Sequence, residues 1–177
     1  MEPVELRQAT PRDAAALSRV HVETWKATYI GQVPDEHASE RIVAAQQRDW
    51  VVHEERRVAA GGGVLVAVED GEVVGFCEYG PTEDADDDPT RVGHVMRLYV
   101  LPRSQSKGSG RRLLEAACAR LAADGYDDVT LWTLDDPGNR AIGFYAHLGW
   151  SREGVRKHDD PPDVRFRRQL PSSTLAR

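Results

Sequence analysis

The stretch that most restricts the fold runs from Arg97 to Leu114, "RLYVLPRSQSKGSGRRLL": an apolar strand, a turn crowded with glycine and cations, then a helix. Leu113, Leu114, Ala117 and Leu121 give that helix one apolar stripe, Gly125 stops it as a left-handed cap, and "DVTLWTL" follows as another strand. Strand, helix and strand in that order predict a parallel crossover, which needs a sheet with helices laid over it. Upstream, "VLVAVEDGEVVGFCEYG" is two β-branched runs about an Asp70-Gly71 turn, the pattern of an antiparallel hairpin. The sheet is therefore expected to be mixed.

The remaining segments extend this order. "VELRQA" reads as a short strand, and Thr10, Pro11 and Asp13 supply the start of a helix whose apolar positions Leu17, Val20 and Val22 lead toward Trp25 and Tyr29. After a break at Gly31 to Pro34, "DEHASERIVAAQQRDWVVHEERR" predicts one further helix with Ile42, Ala45 and Trp50 inward. "PTEDADDDPTR" predicts a solvated loop. Asn139 to Leu148 predicts a short helix ended by Gly149, and "VRFRRQL" a last strand with Val164, Phe166 and Leu170 inward and charged residues alternating outward.

Composition narrows the function. The length of 177 residues, with 40% hydrophobic and 29% charged, predicts one domain over 1–177 with a core from about 4 to 170. A net charge of -6 argues against a general affinity for nucleic acid or anionic membrane. The start "MEPVE" lacks the basic and apolar character of a signal peptide, so a cytoplasmic protein is expected. Cys77 and Cys118 show neither metal-ligand spacing nor a disulfide framework, and both are expected in the core. No metal is expected.

Against this acidic background the turn stands out. A helix N-terminus carries partial positive charge and favours Asp or Glu, yet Arg111 and Arg112 occupy the first turn, with Arg103 and Lys107 just before it. Gly108 and Gly110 remove the Cβ atoms that would keep a ligand from the N–H groups of residues 106–111, and Ser106 and Ser109 add small hydroxyls. A bound phosphate resolves the conflict. No G-x-x-x-x-G-K-[ST] can be written, and Leu113 replaces the third glycine of a dinucleotide fingerprint, which disfavours a nucleotide-binding oxidoreductase.

"YVLPRSQSKGSGRRLL" resembles the acetyl-CoA motif (Q/R)-x-x-G-x-(G/A) of the GCN5-related N-acetyltransferase superfamily, matched by Gln105, Gly108 and Gly110. "NRAIGFYAHLGW" resembles a second signature of the family, with Asn139, Ala141, Phe144, Tyr145, Gly149 and Trp150 in place, and the element order agrees over about residues 4–170. The resemblance implies an α/β (α+β) fold: a mixed, centrally splayed sheet of about six to seven strands flanked by about four helices. It implies acetyl-CoA as cosubstrate, with pantetheine along the backbone of Leu98, Tyr99 and Val100. The diphosphate would lie at Gln105, Ser106, Lys107, Gly108, Ser109, Gly110 and Arg111 with Arg103 beside it, and Asn139, Phe144 and Tyr145 would complete the cofactor site.

The implied reaction is direct attack of a primary amine, from a small molecule or peptide, on the thioester. It needs a base for the amine proton, a donor for the oxyanion and an acid for the leaving thiolate. By resemblance Tyr145 is the acid, or else a core aromatic. For the base, His94 stands where many members carry a glutamate, and an imidazole titrating at about 6.5 suits the task. Glu78 on the hairpin and a water relay are the alternatives. Asn139 either caps its helix or touches the cofactor. Trp25 and Tyr29 either line the acceptor cleft or staple two helices together, whereas Trp132 and Trp150 are expected in the core. A non-catalytic or regulatory acyl-CoA-binding module is the competing reading, and a homodimer is an expectation from the resemblance alone.

Overall fold

Positive φ at Asp70 (50°) and Gly71 (78°) turns the two β-branched runs back on each other, as Asp and Gly permit at little cost. They form β2 (Gly63–Glu69) and β3 (Glu72–Pro81), the start of a seven-stranded sheet. The computed structural model describes residues 4–29, 39, 48–157 and 162–171. Its further elements are β1 (Glu5–Gln8), α1 (Ala14–Tyr29), α2 (Trp50–Ala59), β4 (Val92–Val100), α3 (Ser109–Ala123), β5 (Asp128–Leu134), α4 (Arg140–His147), β6 (Ser151–Lys157) and β7 (Asp163–Gln169). The strand order is β1-β2-β3-β4-β5-β7-β6, with β4–β5 parallel and its other pairs antiparallel. This is the mixed sheet with a crossover through α3 that the sequence predicts.

Two-residue alternation along β3 places the helices. Phe76 packs edge-on to His21 of α1 and to Trp50 of α2, while a Cβ on neighbouring Gly75 would meet Leu113 of α3 at 3.3 Å. Thus α1 and α2 cover one face and α3 the other. Leu17, Phe76, Leu113, Leu114, Leu121 and Phe166 are fully buried between these layers, and Cys77 and Cys118 lie in the same core. No helix among the described residues is long and apolar enough to cross a membrane.

Three sequence expectations need correction. The helix predicted across "DEHASERIVAAQQRDWVVHEERR" is not continuous: Asp49 is extended, and its carboxylate accepts from the N–H groups of Val51 and Val52, so a new helix begins there. Ile42, Ala45 and the break at Gly31 to Pro34 lie outside the described residues. The acidic loop is not simply solvated, because Asp86 and Asp87 make paired hydrogen bonds to Arg165 and Arg167 of β7, and Asp84 accepts from Trp132 Nε1 at 2.8 Å. Arg165, expected to face outward, is buried for the same reason: Asp86 and Glu153 satisfy its guanidinium and hold its pKa above the ordinary range despite burial. The loop is thereby fastened across β5 to the end of the sheet.

Candidate active site

Strands β4 and β5 pair in parallel from Val92↔Asp128 only to Val95↔Leu131, although β4 continues to Val100 and β5 to Leu134. The separation starts at a bulge. Against β3, Arg97 stands opposite Glu78 but Val95 stands opposite Tyr79, so Met96 is the extra residue that bends β4 away from its neighbour. Beyond it the backbone groups alternate in direction. Leu101 N–H donates to Val74 O at 2.8 Å, which aims Leu101, Tyr99 and Arg97 at β3 and leaves the N–H and C=O groups of Leu98 and Val100 facing the gap. Open strand edges inside a fold invite a ligand that supplies the missing partners.

The gap opens into a cavity of about 540 Å³ that reaches from α1 to the N-termini of α3 and α4. The cation-rich turn forms one end of it. Ser106 (φ 64°) and Gly108 (φ 90°) both take left-handed backbone, and a Cβ on Gly108 would meet nothing within 4 Å, so the glycine faces open space. Behind the turn sits Glu69, whose carboxylate accepts from Ser104 Oγ (2.9 Å) and Ser109 Oγ (3.1 Å) and lies 3.6 Å from Lys107 Nζ. Gln105 Nε2 donates to Val100 O at 2.9 Å, tying the turn to the last residue of β4. One end of the cavity is therefore a fixed row of backbone N–H groups at a helix N-terminus.

The expected cofactor residues divide into two sets. Leu98, Tyr99, Val100, Gln105, Ser106, Gly108, Gly110, Arg111, Asn139, Phe144 and Tyr145 all line the cavity. Arg103, Lys107 and Ser109 do not: Arg103 binds Glu72 at 2.6 Å, and the other two are engaged with Glu69. Asn139 is a cap, its Oδ1 accepting from Ala141 N–H while its amide donates to Thr133 Oγ1 and Leu134 O, which locks α4 onto the end of β5. Trp25 is half-buried outside the wall, and the side chain of Tyr29 lies outside the described residues.

Of the three candidate acid–base groups, only Tyr145 reaches the cavity. It is 8% exposed, held between Phe144, Trp150 and Phe166, and burial pushes its hydroxyl above the ordinary phenol range. His94 lies farther down β4, hydrogen-bonded through Nδ1 to Thr130 Oγ1 at 2.8 Å, and burial pulls its imidazole down to about 4. Glu78 has no exposed side-chain surface. His53 Nε2 (2.8 Å), Arg57 Nε (3.0 Å) and Arg97 Nη1 surround its carboxylate. Burial opposes its charge, but these partners outweigh burial and hold the carboxyl down at about 2.

Thr24, Arg97 and Arg140, which the sequence reading does not single out, also line the cavity, and Trp132, expected in the core, stands in its wall instead, with its Nε1 donating to Asp84. One signal was available: counting three, four and seven from Leu17 puts Val20, His21 and Thr24 on the buried stripe of α1, and two of those are polar.

A strand gap that ends on an anion-ready helix terminus, with a buried phenol in its wall, defines an enzyme of the acyltransferase class. The description of the matching family model is Acetyltransferase (GNAT) family, it covers residues 20–150, and the chain belongs to that family. An uncharacterized N-acetyltransferase, YuaI of Bacillus subtilis (strain 168), is 27% identical over 143 residues, covering 80% of this chain and 77% of its own. The aminoglycoside N(6')-acetyltransferase type 1 of Stenotrophomonas maltophilia is 30% identical over 150 residues, 78% of this chain and 84% of its own. Among solved structures, the PaiA N-acetyltransferase of Thermoplasma acidophilum in complex with coenzyme A superposes with a TM-score of 0.79 at 23% identity. It covers 96% of this chain and 100% of its own.

Proposed function

We propose that this protein transfers an acetyl group from acetyl-CoA to a primary amine of a small molecule or peptide, by direct attack on the thioester. The observation that carries the reading is the edge of β4 that no strand pairs at Leu98 and Val100, where among the described residues only Val100 O is taken, by Gln105, and which opens at one end onto Ser106, Gly108 and Gly110. The backbone groups of the edge would hold amides in the manner of an added strand, and the helix terminus with Arg111 would hold a diphosphate. The solved relative bound to coenzyme A has the same fold, which supports this choice of cosubstrate. Acetyl-CoA supplies an activated acyl group. This chain's residues then have to orient the amine, accept its proton and protonate the departing thiolate.

Tyr145 is the proton donor in this reading. Its raised pKa keeps the hydroxyl protonated through the neutral range, and a proton donor in the wall favours an enzyme over a binding module. Neither His94 nor Glu78 lines the cavity, and Glu78 already has three donors on its carboxylate. In this reading, with neither group in the described wall, a water relay carries the amine proton away. The reading is tested by following coenzyme A release from acetyl-CoA over a broad amine panel. Release that depends on an added amine, with the acetylated amine found by mass spectrometry, is expected. Tight acetyl-CoA binding with no amine-dependent release would leave a binding module instead.

A further inference from the structure

Three arginines and one buried carboxylate meet on the α1/α2 face of the sheet, and their charges do not balance. Arg57 and Arg97 both bond Glu78, and Arg57 reaches Glu83 at 3.2 Å, where Glu83 is 76% exposed and screened by water. Arg48 Nη1 lies 3.3 Å from His53 Nδ1, while its Nε is buried without a hydrogen-bond partner. An arginine can only donate, so His53 accepts on Nδ1 and donates its Nε2 proton to Glu78. Burial and the neighbouring Arg97 both work against the charge of Arg48. Half-buried cations are normally paired, and among the described residues one anion is short.

The shortage opens onto the cavity. Arg97 lines the wall with one Nη1 engaged by Glu78, and its remaining donors make no hydrogen bond with a described residue. Thr24, 4% exposed, lines the same wall from α1, and its Oγ1 is buried without a partner. Sheet alternation directs Arg97 to the α1/α2 face, opposite α3 and the turn, so the unmet charge lies apart from the diphosphate end. The charged residues of the described wall are Arg97, Arg111 and Arg140, with no carboxylate among them. Such a wall repels a polycationic acceptor.

We propose that the acceptor is a small amine that also carries a carboxylate, held by the guanidinium of Arg97 and the hydroxyl of Thr24. A planar guanidinium edge with one hydroxyl on the same cavity wall matches a carboxylate better than a phosphonate, which asks for more donors. Glu78, His53 and Arg57 position Arg97 from behind. The inference rests on the acetyltransferase reading and makes the acceptor selective by charge.

The test is coenzyme A release from acetyl-CoA by the full chain with matched acceptors: amino acids, their amides, the corresponding amines lacking the carboxyl group, aminophosphonates and diamines. The best amino acid should exceed its own amide at least tenfold in kcat/KM. Arg97→Gln should bring that ratio to within threefold of unity. Thr24→Val, which keeps the side-chain shape, should lower it severalfold, and it carries the test alone if Arg97→Gln does not fold. Amides, aminophosphonates or diamines serving as well as amino acids overturn the inference while leaving the transferase intact. No release with any amine overturns both.

Discussion

Tyr145 is the residue on which packing and the proposed chemistry are most entangled, since its ring touches Phe144, Trp150 and Phe166 while the residue lines the cavity as the proposed proton donor. Tyr145→Phe keeps the ring and deletes the donor. We expect kcat to fall at least tenfold, within the range of about 10² to 10⁴ typical of general acid catalysis, with little change in acetyl-CoA affinity. Steady-state kinetics beside a calorimetric acetyl-CoA titration will check it; a lower melting temperature with kcat intact would instead make the ring purely structural. Because burial raises this phenol, the wild-type kcat profile should show no alkaline limb from Tyr145 below about pH 10. Glu78 shows the opposite case. As a sequence letter it is a plausible base, and only its three donors show that its charge is already committed.

At the scale of elements, the turn between β4 and α3 combines two demands that a single glycine meets. Gly108 needs left-handed backbone at φ 90°, and its missing side chain leaves the cavity mouth open. Gly108→Val should therefore lose about 1 to 2 kcal/mol of stability from the strained φ alone. It should also raise the acetyl-CoA Kd at least tenfold, about 1.4 kcal/mol, because the new side chain fills the space a diphosphate would take. Urea unfolding and a binding titration separate the two effects. Unchanged affinity in the folded variant would remove the turn from the cofactor site. The motif and its glycines were legible in the sequence because a strand, a turn and a helix are each fixed by neighbours a few residues apart. Glu69 beneath the turn was not, since it reaches Ser109 from 40 positions away.

For the whole molecule, acid stability follows from carboxylates held below their ordinary range. Arg7, and Thr10 behind it, hold Asp13 down at about 2, and the partners of Glu78 overcome burial to hold it at about 2 as well. A depressed carboxyl stabilises the fold fully above its unfolded pKa, near 3.8 for Asp13 and 4.5 for Glu78, and that contribution disappears as pH falls toward the folded value. For Glu78 this amounts to on the order of 3 kcal/mol. Urea unfolding should show stability falling between about pH 4.5 and 2, and Glu78→Gln should be less stable at pH 7 with a shallower acid dependence. An equal acid slope in the variant would contradict the assignment. By itself the sequence determined the hairpin, the parallel crossover and the glycine turn, because each depends on periodicity and backbone preference within one short segment, whereas β6 (Ser151–Lys157), with its mostly exposed polar run, carries no such periodicity. The tertiary structure alone decided the bulge at Met96, the burial of Arg165 against Asp86 79 residues away, and the cluster of arginines around Glu78. The physical reason is strand register: a slip of one residue turns every side chain to the other face, so which charges meet is settled only when distant strands pair.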